Sequence, residues 1–344
     1  MDEINTLVFR TDRLGDFLIS CPFILSYKKN YKNNRISVVT SEYNNDYIKK
    51  FKFIDSVISL KNEYRFFPKL IVLLKVIFKL RKIKFDKIII LDGKKRSFFI
   101  SLFLKGSKYI LLQSNNLRLM SKFFKYKYVV NYEIQSQLKN FSYLANINDF
   151  NIENKKPNIY DSYSFDKEFK FENKYLIIHL DEKWFSKYYY KDFTDIKPNE
   201  IQIDKFINKI IDKTEANFDI VITTGFKKTL IDDHFLKNYF KKSENIYVKE
   251  INNKKIMYIA NTTFNQIENI IKNSSLLICC EGAVSHVSHF FNVKTIALYE
   301  KKRLEHIQYW TGHMEDCHLY ERMPMNDLLD DNNFFNKIKK IINI

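Results

Sequence analysis

Three clusters of residues in this 344-residue chain have the types and spacing to do chemistry. The first is Glu281-Gly282-Ala283-Val284-Ser285-His286, which follows the apolar run Leu276-Leu277-Ile278-Cys279-Cys280. The run reads as a strand buried on both faces, Gly282-Ala283 as a tight turn, and a helical period begins near Val284. A helix N-terminus entered this way presents unpaired backbone N–H groups and the positive end of the helix dipole, which together seat a phosphate or diphosphate. Glu281 ends the strand, and His286 and His289 fall three apart on one helix face. An ordinary strand-to-helix connection with two satisfied histidines stands beside this reading at even weight, because turn motifs of this kind recur without function.

The second cluster is Arg10-Thr11-Asp12-Arg13-Leu14-Gly15-Asp16, directly after the apolar Thr6-Leu7-Val8-Phe9. Gly15 gives the turn its backbone freedom, and Asp16 falls near a helix N-terminus above the carboxyl end of the sheet, where ligands bind in open α/β sheets. Asp16 is either a helix cap or a general base facing a cleft. The third cluster is Lys94-Lys95-Arg96, just beyond the strand-and-turn segment Asp86–Gly93. It reads as a grip for an anionic acceptor or as a solvated loop.

Short apolar strands alternating with helical periods must position these clusters. Arg35–Thr40, Ser56–Leu60, Tyr109–Leu112 and Tyr128–Val130 read as further strands of a first sheet, with helices near Asn45–Phe51, Ser97–Leu104 and Tyr132–Ala145. Phe66 to Lys82 is a helix too short and too charged to span a bilayer. Its Lys75, Lys79 and Lys82 form one stripe beside a wide apolar face, which suits a crossover helix packed on the sheet, a surface helix resting on anionic lipid, or both. Asn146 to Asn173 is polar, and the alternation restarts at Tyr175–Leu180, passes through a helix at Gln202–Thr214 and the strand Phe218–Thr224, and closes with the strand Thr295–Tyr299 and a terminal helix from Asn333. The predicted architecture is α/β: two Rossmann-like, doubly wound domains, at residues 1–150 and 174–328, with a linker at 151–173, a C-terminal helix at 329–344, and sites facing one another across a cleft.

An apolar content of 45% and aromatic content of 16% exclude a disordered chain, and a formal charge of +17 predicts an anionic partner. The basic residues read as dispersed, mostly Lys among Asn and Ile, and no nucleic-acid motif accompanies them. The four cysteines form no CxxC pair, and Cys279 and Cys280 lie inside the apolar strand, so a reduced compartment is expected. Met1-Asp2-Glu3 lacks the basic start of a secretory signal, so a cytoplasmic location is expected. His306, His313, Cys317 and His318 lack compact zinc spacing.

Taken together, these residues resemble the bacterial glycosyltransferases of family 9, the heptosyltransferase-like enzymes of lipopolysaccharide core and related surface-glycan assembly. The opening Val8-Phe9-Arg10-Thr11-Asp12-Arg13-Leu14-Gly15-Asp16 with Pro22 looks like the family's hydrophobic-R-x-D-R-x-G-D stretch. Leu91-Asp92-Gly93 with Arg96-Ser97 looks like its next marker, and Glu281 to His286 like its D-T-G-x-x-H donor site. The resemblance implies the GT-B fold, an N-terminal domain for the acceptor, a C-terminal domain for a nucleotide sugar, and an inverting transfer with no metal or other cofactor. Asp16 becomes the base that deprotonates the acceptor hydroxyl. The implied donor set is Lys183 or Lys187, Gly225, Glu281, Gly282, Ala283, Ser285 and His286; Lys183 is preferred because Lys183-Trp184 resembles the family's lysine-tryptophan element. The implied acceptor set is Arg13, Lys94, Lys95 and Arg96, suited to an anionic glycan or glycolipid, with peripheral contact to the anionic inner face of the membrane.

Glu281 stands where the family has aspartate, and Gly282-Ala283 where it has Thr-Gly. The extra methylene moves the carboxylate by about a bond length, and the missing hydroxyl removes one donor to phosphate. Sugar and nucleotide therefore stay open; ADP-heptose is the family's commonest donor. Two other classes remain in view: a nucleic-acid-binding protein drawn by the charge, and a catalytically silent binder of nucleotide sugars.

Overall fold

The computed structural model describes residues 3–61, 66–112, 117–130, 136–161, 163, 165, 169–185, 194–214 and 218–342. It divides into two compact units, Met1–Ser164 with Gln308–His313, and Phe165–Ile307 with Met314–Ile344.

The first unit is a six-stranded parallel sheet. Its elements run β1 (Ile4–Phe9), α1 (Leu14–Asn30), β2 (Asn34–Ser41), α2 (Asn45–Ile48), β3 (Ser56–Leu60), α3 (Phe66–Arg81), β4 (Lys87–Ile90), α4 (Lys95–Leu102), β5 (Ser107–Leu112), α5 (Arg118–Phe123), β6 (Lys127–Val130) and α6 (Gln137–Asn146). The strands lie in the order β3-β2-β1-β4-β5-β6. Central strands covered on both faces must be apolar throughout, and Leu7, Val8, Phe9 and Ile88 to Ile90 are all buried. On one face Phe23 and Tyr27 of α1 stack on each other, Phe23 meets Phe141 of α6 at a tilt, and both meet Phe150 edge-on. On the other, Val76, Ile77 and Leu80 of α3, Phe98 and Ile100 of α4, and Leu117 beside α5 join Leu7, Phe9, Ile88, Ile90 and Ile110 in one core.

The second unit is an eight-stranded mixed sheet. Its elements run β7 (Lys174–Leu180), α7 (Glu200–Ile211), β8 (Phe218–Thr224), α8 (Leu230–Asn238), β9 (Phe240–Ser243), β10 (Ile246–Ile251), β11 (Lys254–Ile259), α9 (Phe264–Lys272), β12 (Leu276–Cys280), α10 (Ala283–Phe290), β13 (Lys294–Tyr299), α11 (Leu304–Thr311), β14 (Cys317–Glu321), α12 (Met325–Asp330) and α13 (Asn332–Ile342). The order is β14-β13-β12-β7-β8-β11-β10-β9. Leu176, Ile178, Ile220 and Ile222 meet Phe206 and Ile210 of α7 and Phe334, Phe335 and Ile338 of α13 in its largest core.

Three features differ from the sequence reading. An antiparallel extension, β9 and β10, sits at the edge of the second sheet, with β10 also antiparallel to β11. Its turn, Asn252-Asn253, has φ of 51° and 60°, the left-handed pair that asparagine tolerates in tight hairpins. The terminal helix α13 is part of the second unit's core, because its apolar stripe needs a partner. Gln308–His313, placed by the sequence reading inside the C-terminal domain, groups with the first unit. There the Tyr309 hydroxyl donates to Gln137 Oε1, and Asn140 Nδ2 donates to that hydroxyl at 3.1 Å.

Candidate functional site

In the first unit the chain winds outward from β1 through β2 to β3, then returns to β4 on the other side of β1. The crevice beyond the carboxyl ends of β1 and β4 is the topological switch point where such sheets bind ligands. Arg10–Asp16 leaves one of those ends and Leu91–Arg96 the other. Asp92, with no exposure, ties them together: it accepts from the Thr11 backbone N–H at 3.1 Å, the Thr11 hydroxyl at 2.5 Å and the Ser97 hydroxyl at 2.7 Å. Gly93, at φ 57°, makes the left-handed turn from Asp92 into α4.

Arg10 is the buried cation of this site. Its Nε donates to the Asp16 carbonyl at 2.7 Å and its Nη1 to the Leu91 carbonyl at 2.9 Å, while Phe141 lies under the guanidinium at 5.6 Å. Nη1 is 3.2 Å from Asp12 Oδ2, and Nη2 is 3.9 Å from Asp16 Oδ1. Burial pushes the Asp12 carboxyl up to about 7 against the pull of Arg10, with the Asp16 and Asp92 carboxylates pushing the same way as burial. Asp16 is the third residue of α1; its Oδ2 accepts from the Arg13 backbone N–H at 3.0 Å, which holds the start of the helix, and its side chain keeps a fifth of its exposure. The cap and base readings are thus compatible, since one oxygen holds the helix start while a buried guanidinium steadies the carboxylate.

Of the expected acceptor residues, Arg13 and Lys95 are exposed, whereas Lys94 and Arg96 turn inward. Lys94 Nζ donates to the Thr11 carbonyl at 3.3 Å, and Arg96 donates to the same carbonyl at 2.7 Å and to the Thr11 hydroxyl at 3.2 Å. Both brace the loop after β1.

In the second unit the winding reverses between β7 and β12, so the switch point lies beyond Leu180 and Cys280. After β7, Asp181 starts a single helical turn by accepting from the Lys183 N–H at 3.1 Å. Trp184 pins that turn: it is fully buried against Phe206, and its Nε1 donates to the His179 carbonyl at 3.0 Å. Lys183 is thereby aimed at the neighbouring strand end. Its Nζ donates to the Glu281 carbonyl and lies 3.3 Å from Asp181 Oδ2. Burial alone lowers an ammonium's pKa, but the Asp181 and Glu281 carboxylates outweigh it and hold Lys183 above its ordinary value.

Gly282 leaves room for the Lys183 ammonium in its present place. A Cβ on it would stand 2.4 Å from Lys183 Nζ. Gly225, after β8, is similar: its Cβ would meet Glu182 Oε2 at 2.7 Å. Glu281 and Ala283 are half-buried at the mouth of α10, and His286 is buried on its second turn. The Ser285 hydroxyl folds back, donating to the Gly282 carbonyl at 2.7 Å, so it completes the helix start from within. Lys187 lies outside the described residues.

Two residues given no role in the sequence reading lie in these sites. Arg10 was legible as the first arginine of the R-x-D-R-x-G-D stretch but was given no role of its own; it is fully buried just after the apolar β1. Arg322, buried just past β14, acts electrostatically on Lys183 and Cys280, and nothing in its local spacing announces it. Cys279 and Cys280 are fully buried strand residues, and burial pushes the Cys280 thiol up to about 12. Among the described residues no group of three or more His, Cys, Asp or Glu gathers as a metal site.

No family model matches the sequence, and no curated protein matches it. Solved structures do. The glycosyltransferase family 9 protein from Veillonella parvula superposes with a TM-score of 0.65 at 15% identity, over 99% of this chain and 90% of that one. The E. coli heptosyltransferase WaaC with ADP-2-deoxy-2-fluoro heptose gives 0.64 at 12% identity, over 99% of each chain. The E. coli ADP-heptose lps heptosyltransferase II gives 0.65 at 11% identity, over 99% of this chain and all of the other.

The fold is GT-B.

Within the GT-B frame each unit offers one switch point, the first holding Asp16, Arg10 and Asp12, the second Lys183, Glu281 and the N-terminus of α10. A fold shared at such identities fixes where a site sits, while the reaction follows from the side chains in it.

Proposed function

We propose that this protein is a glycosyltransferase. It moves a sugar, heptose or a related one, from a nucleoside-diphosphate donor to a glycan or glycolipid acceptor of the cell surface, with inversion at the anomeric carbon and without a metal ion. The observation that carries this reading is the Lys183 ammonium, hydrogen-bonded to the Glu281 carbonyl beside the N-terminus of α10, in space that Gly282 leaves open.

A diphosphate leaving group gains negative charge as the glycosidic C–O bond breaks. A fixed ammonium, the backbone N–H groups at the start of α10 and the positive end of its dipole stabilise that charge where it develops. His286, Glu281, Ala283 and Gly225 form the surrounding donor pocket, with Glu281 suited to sugar or ribose hydroxyls. In the first unit Asp16 takes the proton of the attacking hydroxyl, with Arg10 holding the carboxylate in place. Arg13 and Lys95 supply exposed charge for an anionic acceptor. Direct displacement by that hydroxyl inverts the anomeric centre.

The test is a thermal-shift panel of ADP-, UDP-, GDP- and CMP-linked sugars, without added metal, on wild type and Lys183→Met. One donor class is expected to raise Tm in the wild type and not in the variant. A response equal in both proteins, or none to any donor, overturns the assignment.

A further inference from the structure

One buried guanidinium serves two carboxylates in the first unit. Arg10 Nη1 is 3.2 Å from Asp12 Oδ2, and Nη2 is 3.9 Å from Asp16 Oδ1. The Arg10 side chain has no exposure, and its hydrogen bonds to the Asp16 and Leu91 carbonyls fix its plane. Among the described residues neither Arg10 Nη2 nor the buried Asp12 Oδ1 has a hydrogen-bond partner. The backbone at Asp12 is held from both sides: Asn44 Nδ2 donates to the Asp12 carbonyl at 2.7 Å, and Asp92 grips Thr11.

Two negative charges against one buried positive charge favour a proton on one of them. Asp92 is satisfied by Thr11, Ser97 and the Lys94 N–H, and Asp16 has the Arg13 N–H on one oxygen. Asp12 has the oxygen without a donor, so the proton rests there at least cost. Burial raises the Asp12 carboxyl to about 7, with Arg10 and Lys94 pulling down and Asp16 and Asp92 pushing up. Arg10 and Asp16 come from its own segment, Asp92 and Lys94 from the turn before α4. Arg96 of α4 ends on Thr11, and the turn before α2 brings the neutral Asn44 amide.

We propose that Asp12 is the positioning partner of Asp16, and that the charge on Asp12 decides how far the Arg10 guanidinium is committed to Asp16 and hence how strong a base Asp16 is. With Asp12 protonated, Arg10 neutralises Asp16 alone, and the base is weak. With Asp12 ionised, the guanidinium is divided and a second negative charge stands beside Asp16, so the base is stronger. In each turnover the proton of the acceptor hydroxyl passes to Asp16 and then to water, while Asp12 keeps its own. The inference rests on the reading of Asp16 as the base of sugar transfer and adds a residue to which that reading gives no role.

The experiment has two arms, both on the full-length protein. In the first, carbon-13 NMR follows the aspartate carboxyl carbons through a pH titration without substrate, and Asp12→Asn and Asp16→Asn identify the two resonances by their loss. Asp12 is expected to titrate near 7, and the Asp16 resonance to move at that same pH, a movement that disappears in Asp12→Asn. In the second, single-turnover release of nucleoside diphosphate is measured with the donor that raises Tm in the panel and a cell-envelope glycolipid extract as acceptor. Between about pH 6 and 8 the wild-type rate is expected to rise about three- to tenfold, Asp12→Asn to stay flat near the low wild-type value, and Asp12→Glu to recover the rise. A merely structural loss lowers the rate by one factor at every pH and keeps the profiles parallel. Should Asp12→Asn fail to fold, Asp12→Glu, which also removes the aspartate line, takes its place in the assignment, and the movement of the Asp16 resonance decides. An Asp12 resonance in the ordinary carboxylate range, an Asp16 resonance that ignores its titration, or parallel rate profiles in wild type and Asp12→Asn each overturn the proposal. Absence of release from any donor by the wild type overturns the transferase reading beneath it; the NMR arm, which needs no substrate, tells that failure from loss of the carboxylate coupling.

Discussion

Adding one methyl group at Gly282 tests how the proposed donor site is built. An ideal Cβ there stands 2.4 Å from Lys183 Nζ, so the ammonium must retreat by about 1 Å to reach ordinary contact distance. Retreat breaks its hydrogen bond to the Glu281 carbonyl. A hydrogen bond from a charged group contributes about 1.5–3 kcal/mol. If the donor diphosphate needs the ammonium where it now stands, Gly282→Ala loses a similar amount of binding, roughly ten- to a hundredfold in Kd. The assay is calorimetric titration of the donor selected by the panel into wild type, Gly282→Ala, Lys183→Met and the double variant, with denaturant unfolding of each as a control. With the ammonium gone, the added methyl has nothing to displace, so Gly282→Ala is expected to cost almost nothing further on the Lys183→Met background. Wild-type affinity in Gly282→Ala, or equal losses on both backgrounds, refutes the reasoning.

Three further outcomes are expected. Asp16→Asn keeps an oxygen for the Arg13 N–H and should unfold within about 0.5 kcal/mol of wild type, whereas Asp16→Ala loses that acceptor and about 1 kcal/mol; urea unfolding separates them, and equal stabilities would remove the capping role. Burial lowers His179 and His313 to about 4, so as pH falls below about 6.5 the unfolded chain takes up protons that the fold refuses, and stability is lost. Asp12 works the other way, because its folded carboxyl binds a proton near 7 and the unfolded one only near 3.8; Asp12→Asn should therefore steepen the loss between pH 7 and 4, and a shallower profile contradicts this. Trp184→Phe removes the donor to the His179 carbonyl and should lose about 1–3 kcal/mol, and Trp184→Ala about 3–5, read from guanidinium midpoints; a loss under 0.5 kcal/mol for the alanine variant would mean the turn that carries Lys183 is held by something else.

The parallel core of both sheets was legible because strands buried on two faces leave unbroken apolar runs: Leu7–Phe9, Ile88–Ile90, Ile177–Leu180 and Leu276–Cys280 all became central strands. The same runs placed the candidate segments, since a polar cluster that ends such a strand must lie at the carboxyl edge of the sheet. What escaped is what long-range contact decides. Strand β9 is short and exposed, so neither periodicity nor burial marks it, and only Asn252-Asn253 hinted at the hairpin beside it. The inward turn of Lys94 and Arg96 depends on the Thr11 carbonyl more than 80 residues away. Arg322 reaches its place through strand order, and the grouping of Gln308–His313 with the first unit rests on Gln137 and Asn140, some 170 residues earlier in the chain. Asp16 was open between cap and base because one carboxylate has atoms enough for both.

Release of nucleoside diphosphate from the selected donor, in the presence of a cell-envelope glycolipid extract and at saturating donor, by wild type and Asp16→Asn, tests the central claim most directly. Metal-free release by the wild type, at least a hundredfold slower in Asp16→Asn with donor affinity unchanged, is the predicted result. Turnover in Asp16→Asn within a few fold of wild type would contradict it.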